Sequence, residues 1–276
     1  MNKLMYVTLL LLLCLSCSKD DDPQPKATMQ LASVSCGSTD IQQFQYDSYG
    51  RVISYKYIST SDSLVSEYSY VSDNLVKIST KQVTFGYTHS DENIRTYDDE
   101  LYLENGRVVV CDGIVSMKGP YFMDKKYRQE FNYTKEGYLS SVKWTQWDKI
   151  RDEWAEDKPW TWENYYYWED GNLIKYEDFL GHSYPCVTYS LEYSDITGVR
   201  NIVFGYLDLH QYFPLQLNGN FCLQPRSLIK GFDRADTFNG NLSMSYLYDI
   251  ADGIITNYKS TMSSGRSFDY SVHWTK

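Results

Sequence analysis

Histidine is scarce, with four in 276 residues, and those four are scattered. His89, His182, His210 and His273 form no HExxH and no pair at ligand spacing, so each reads as a surface or packing residue. No GxSxG elbow and no P-loop is present, which sets aside two large enzyme classes. The absence of CxxC removes the simplest zinc and thioredoxin-like readings. No cofactor motif is found, and none is expected. Positive charge is also in deficit. With 26 basic against 36 acidic residues the net charge is −10, which argues against nucleic acid and against attraction to anionic lipid. No long stretch carries the period of a helix.

The first residues are of another kind. Met1, Asn2 and Lys3 make a short positive start, and an apolar run follows from Leu4 to Leu15. That run has the length of a signal-peptide core and is too short to span a bilayer as a helix. Cys14-Leu15-Ser16-Cys17 resembles a lipobox, which implies cleavage of residues 1–16 and lipid on Cys17. The following Ser18, Lys19, Asp20, Asp21 and Asp22 resemble the acidic export tag of Bacteroidetes surface lipoproteins. That resemblance implies an outer-membrane, cell-surface location; a solvated spacer on a periplasm-facing anchor is the other reading. Pro23 and Pro25 suit an extended tether, so 17–30 is read as linker and 31–276 as one domain. Contact with a membrane is expected through the lipid alone.

Aromatic residues make up 16 % of the chain, with 27 tyrosines, which favours strands. One theme recurs: an aromatic run, an acidic or Asn-Gly turn, then an apolar run. Tyr46-Asp47-Ser48-Tyr49-Gly50-Arg51-Val52 is its fullest form. It returns around Asp73-Asn74, Glu104-Asn105-Gly106, Glu136-Gly137, Glu169-Asp170-Gly171, Asp195 to Gly198 and Asp252-Gly253. Asn, Asp and Gly tolerate the positive φ of tight hairpins. Period-2 alternation flanks these turns: Phe268, Tyr270, Val272 and Trp274 share a face, as do Leu242, Met244, Tyr246 and Tyr248. The prediction is an all-β antiparallel meander of about 12–16 strands, forming a large curved sheet or a soluble barrel. Charges inside strands, at Lys56, Lys143, Lys175 and Lys259, argue against a wall facing lipid.

The theme is similar to the YD-type repeats of bacterial surface proteins. Leader, acidic tag and degenerate hairpins together resemble a Bacteroidetes surface-lipoprotein family of unknown function with a porin-like β fold. The resemblance covers most of residues 40–276 and implies fold and location, with no activity to carry over.

Four cysteines, Cys36, Cys111, Cys186 and Cys222, remain in the domain as isolated thiols or as disulfides of open connectivity. Asp98-Asp99-Glu100 lacks the spacing of a calcium loop and reads as solvated. Glycoside hydrolysis would need two carboxylates at a set distance, and Glu163 with Glu169 or Asp178 illustrates how many pairs could serve. Six of the seven tryptophans fall between Trp144 and Trp168, around a charged stretch from Asp148 to Pro159. Trp144, Trp147, Trp154, Trp160 and Trp162 are the candidate ligand-binding residues, with core packing as the alternative. The functional expectation is a non-enzymatic binding module for glycan or protein. A glycan-active enzyme and a structural partner of an outer-membrane complex are the alternatives.

Overall fold

The computed structural model describes residues 29–38, 40–84, 93–118, 123–148, 152–154, 161–179, 184–200, 202, 215 and 223–275. The leader, Cys17, the tag from Ser18 to Asp22, Trp160 and Cys222 lie outside them.

Seventeen strands follow in chain order: β1 Gln30–Cys36, β2 Asp40–Tyr46, β3 Val52–Ile58, β4 Asp62–Ser72, β5 Leu75–Thr84, β6 Asn93–Glu104, β7 Arg107–Lys118, β8 Met123–Tyr133 and β9 Leu139–Asp148. The short β10 Glu153–Trp154 precedes β11 Thr161–Glu169, β12 Asn172–Asp178, β13 Val187–Thr197, β14 Ser227–Asp236, β15 Leu242–Ala251, β16 Ile254–Met262 and β17 Ser267–Thr275. Each long strand pairs antiparallel with its neighbours in sequence, and β1 pairs with β17. The result is a closed barrel of 16 strands. β10 pairs only with the end of β9, as a small flap. The predicted meander is therefore found, and among the described residues closure consumes the edges of its long strands.

One face of every long strand is buried. Phe44, Tyr55, Tyr68, Ile78, Leu101, Cys111, Tyr127, Phe131, Val142, Tyr166, Tyr176, Tyr189, Phe232, Tyr246, Tyr258 and Trp274 belong to a single core. In a closed sheet, one core joining all sides lies inside. Ile202 and Leu215, from the connection between β13 and β14, join it. The opposite face carries Lys56, Glu67, Lys77, Glu100, Arg128, Lys143, Lys175 and Lys259 outward.

Why the tyrosines recur becomes clear at the end of the barrel that holds the repeated turns. Between β3 and β4 the backbone ladder stops at Ser54, leaving the Val52 carbonyl without a ladder partner; the Tyr70 hydroxyl donates to it at 3.0 Å. The same clasp joins Tyr46 to Leu31 at 2.8 Å, Tyr133 to Val108 at 2.6 Å, Tyr193 to Leu173 at 2.9 Å and Tyr248 to Ile229 at 2.7 Å. Indole N–H groups do it for Trp168 on Leu139 at 2.7 Å and Trp274 on Ile255 at 2.8 Å. In each case the ladder's last pair lies two residues beyond the accepting carbonyl. The β5–β6 interface is the informative exception. Its ladder runs to Leu75, and Leu103 stands where the clasp residue would be.

A register shift accompanies the turn in each of these hairpins, for instance at Gln45/Tyr46 and Asn132/Tyr133. Such bulges sharpen the twist and re-aim the next side chain. The turns themselves are as expected. Asp170 and Gly171 have φ of 49° and 78°, and Asn105-Gly106 and Asp252-Gly253 share this two-residue geometry.

Tyr133→Phe keeps the ring and removes only the hydroxyl donor. It should cost about 1 kcal/mol in urea denaturation, the usual net worth of such a bond. Tyr97→Phe, whose hydroxyl makes no clasp, serves as the control, and equal effects at both positions would show that the clasp contributes nothing.

Candidate functional site

The outer wall over β4 to β8 is hollowed into a groove of about 550 Å³. Glu67 and Ser69 of β4, Lys77 and Ser79 of β5, Asp98 and Glu100 of β6, Asp112 and Ile114 of β7, and Lys126 of β8 line it. Trp154, carried on the β10 flap, forms one wall. Strand alternation alone places these side chains together, because alternate residues of neighbouring strands share the outward face. The inward-facing Ile78, Asp99, Gly113 and Tyr127 contribute to the lining from the sheet behind.

Most of the charges are held. Lys77 Nζ donates to Glu100 Oε1 at 2.7 Å and the Tyr102 hydroxyl to Oε2 at 2.9 Å. These two bonds lower the Glu100 pKa below the ordinary glutamate value, and the ion pair raises that of Lys77. Ser79 Oγ donates to Asp98 at 2.9 Å and Ser54 Oγ to Glu67 at 3.0 Å. Arg128 grips Asp112 with two bonds, Nε to Oδ1 at 2.7 Å and Nη2 to Oδ2 at 2.8 Å. Its guanidinium lies 4.9 Å from the centre of the Trp154 ring. Trp147 meets Trp154 edge to face at 5.1 Å, and Lys126 sits 5.9 Å over Trp147. The fork on Asp112 thus fixes a cation that in turn fixes the ring.

The tryptophans predicted as one group divide between two faces. Trp147 and Trp154 are on the outer wall, half-buried, and only Trp154 lines the groove. Trp144 and Trp162 point inward, with rings 4.3 Å apart, and Trp144 also lies 5.0 Å from Tyr127. Those two are corrected from ligand-binding to interior residues. Trp144 and Trp147 are three apart on one strand, so period-2 alternation sends them to opposite faces.

Asp99 requires a second correction. Alternation turns Asp98 and Glu100 outward and Asp99 inward, where it is 2 % exposed. The Tyr127 hydroxyl donates to Asp99 Oδ1 across Gly113 of the intervening strand. A Cβ at Gly113 would fall 2.3 Å from the Tyr127 ring and 2.4 Å from the Asp99 carboxyl, so this contact requires glycine there. Burial pushes the Asp99 carboxyl up to about 7, against the opposing pull of the Tyr127 hydroxyl. The illustrative hydrolase pair separates likewise: Glu163 is outward, bonded to the Tyr165 hydroxyl at 2.5 Å, whereas Asp178 is buried opposite the inward Asn164. Cys36, Cys111 and Cys186 carry free thiols, so no disulfide joins these three. Among the described residues no group of three or more His, Cys, Asp or Glu could hold a metal ion.

A porin-like protein from Bacteroides uniformis aligns with a TM-score of 0.51 and 11 % identity, over 90 % of this chain and 95 % of that one. The fold is porin-like. A porin-like protein from Bacteroides vulgatus aligns at 0.41 and 10 % identity, over 88 % and 97 % of the two chains. No protein-family model matches the sequence, and no curated relative does. At 11 % identity the porin-like barrel is shared with the first of these and nothing about activity follows.

The pH dependence of the barrel should carry the mark of Asp99. An unfolded aspartate titrates near ~3.9. Below that pH both states hold the proton and burial carries no ionic penalty. As pH rises through 7 the unfolded state releases its proton first, so the native state loses stability. From pH 4 to pH 8 the difference between Asp99→Asn and the parent should shift in the variant's favour by up to about 4 kcal/mol. Urea denaturation at the two pH values reads this, and a difference that does not move with pH would contradict it.

Proposed function

We propose that this chain is a surface-tethered, non-enzymatic binding module whose ligand seat is the groove beside Trp154. Lipid on Cys17 would hold it to the outer membrane, the tag from Ser18 to Asp22 would direct it outward, and the barrel would stand clear of the bilayer. The charged outer wall supports that placement. Lys77, Lys143, Lys175 and Lys259 project from mid-strand, and each would cost about 2–4 kcal/mol at a bilayer midplane. A porin-like fold is thus read here as an architecture put to use in water. On this reading the chain is also kin to the Bacteroidetes surface lipoproteins that its repeats resemble.

The observation that carries the binding reading is the mounting of Trp154. Its half-exposed ring faces a polar groove, and Arg128 and Asp112 hold it in place. A rigid aromatic anchor in a polar rim is the anatomy of recognition surfaces, which bind well when little must be ordered on contact. A hydrolase would need a carboxyl kept protonated beside the substrate. Of the carboxyls lining the groove, the one whose pKa is raised is Asp99, and its side chain belongs to the inner face. Glu100, in the groove, is held in its ionised form. Binding is therefore preferred to catalysis.

Two experiments test this. Cys17→Ala should abolish palmitate labelling and release the protein from the membrane fraction; retention of both refutes the anchor. Native gels cast with a panel of plant and microbial polysaccharides should retard the parent, and Trp154→Ala should weaken retardation about tenfold or more without lowering thermal stability. Trp162→Ala, by contrast, should cost about 3–5 kcal/mol of stability. Undiminished retardation of Trp154→Ala would remove the groove as the seat.

A further inference from the structure

We infer that the groove takes an uncharged, hydroxyl-rich sugar chain and turns acidic polysaccharides away; this rests on the binding reading above. The first ground is which charges are free. Lys77 is committed to Glu100, Arg128 is committed to Asp112 with both edges of its fork, and Lys126 lies against Trp147. Glu67 and Asp98 have serine hydroxyls as their hydrogen-bond partners, with no ion pair of their own among the described residues. Lys126 keeps its charge against the Trp147 ring, so two carboxylates without ion pairs stand against one such ammonium and the balance facing a ligand is negative, on a chain whose net charge is already −10. A uronate or sulfate would meet two carboxylates for the one ammonium of Lys126, whereas a neutral hydroxyl can donate to either carboxylate.

The second ground is the match of donor and acceptor types. Carboxylates only accept, ammonium groups only donate, and Ser69 and Ser79 do both. A sugar hydroxyl is both donor and acceptor, so it can satisfy any of these in turn. The Trp154 ring supplies the flat apolar surface that the C–H face of a pyranose covers.

The third ground is what the barrel denies to a peptide. An extended peptide usually docks by adding a strand to a free sheet edge. Among the described residues, pairing of β1 with β17 leaves the long strands no free edge, and β10, two residues long, offers a peptide too little to pair with. Ile114 is the outward-facing aliphatic side chain in the groove, which offers little to the apolar stripe of a helix.

Native gels at 150 mM salt screen long-range charge and leave the contacts. Xyloglucan, mannan and β-1,3-glucan would be cast as neutral polymers, polygalacturonate and hyaluronate as acidic ones. The parent should be retarded by at least one neutral polymer, with about tenfold or weaker affinity for both acidic ones. Asp98→Lys, and independently Glu67→Lys, should gain retardation by an acidic polymer, a gain that misfolding cannot mimic. Trp154-dependent retardation by an acidic polymer equal to that by a neutral one would overturn the charge inference and leave the binding reading standing. Retardation by no polymer at all would overturn both for sugars. Trp154-dependent capture of an octalysine peptide in place of any sugar would assign the seat to a basic protein segment and also overturn the inference.

Discussion

The barrel depends on how its strand ends are closed. A sheet rolled into a cylinder must splay where strands run into turns, and splaying strips backbone carbonyls of their partners. A buried carbonyl without a partner costs about 1–3 kcal/mol, and one arises at nearly every hairpin. The tyrosine and tryptophan clasps supply the missing donor from a side chain that also fills the interior. At Val52, Val108 and Leu139 the accepting residue is itself fully buried, so water could not do the same service. Where the ladder reaches the end of the strand, between β5 and β6, the clasp is absent. Aromatic before the turn and aliphatic after it are thus donor and acceptor of one bond in successive hairpins.

From this closure the site follows. With rings lining the interior, every second residue of each strand is on display outside. The groove gathers side chains from β4 through β8 that are far apart in sequence, and the β10 flap adds the Trp154 wall. Cross-strand pairing then sets the electrostatics: Lys77 faces Glu100 and Asp112 faces Arg128 directly in register. Paired charges of this kind contribute little stability in water, but they determine which groups of the groove remain without an ion pair.

The sequence made the turns and the buried rows legible, because both are local. Asp170-Gly171 announces its conformation in two letters, and Phe268, Tyr270, Val272 and Trp274 keep their alternation without a break. Closure was not legible, since it is decided by Val34 meeting Val272 at the two ends of the chain. The groove was hidden for the same reason: no short window contains Glu67, Lys77, Asp98, Asp112 and Trp154. Asp99 misled because three consecutive acids look like one solvated cluster, whereas a strand sends the middle one the other way. Trp144 and Trp162 could have been separated from Trp147 by parity alone, had β9 and β11 been delimited.

The clasps ask for a ring with a donor on one side and a backbone oxygen on the other. A backbone oxygen belongs to every amino acid alike. Evolution can therefore rewrite the accepting residue freely, provided it stays apolar, and can exchange tyrosine for tryptophan at the donor, as Trp168 and Trp274 illustrate. Each hairpin becomes a unit that fastens to whatever hairpin precedes it. Duplication or loss of a unit would change the circumference by two strands and leave every remaining fastening intact. Such a lineage can drift in sequence until alignment fails while its cylinder persists.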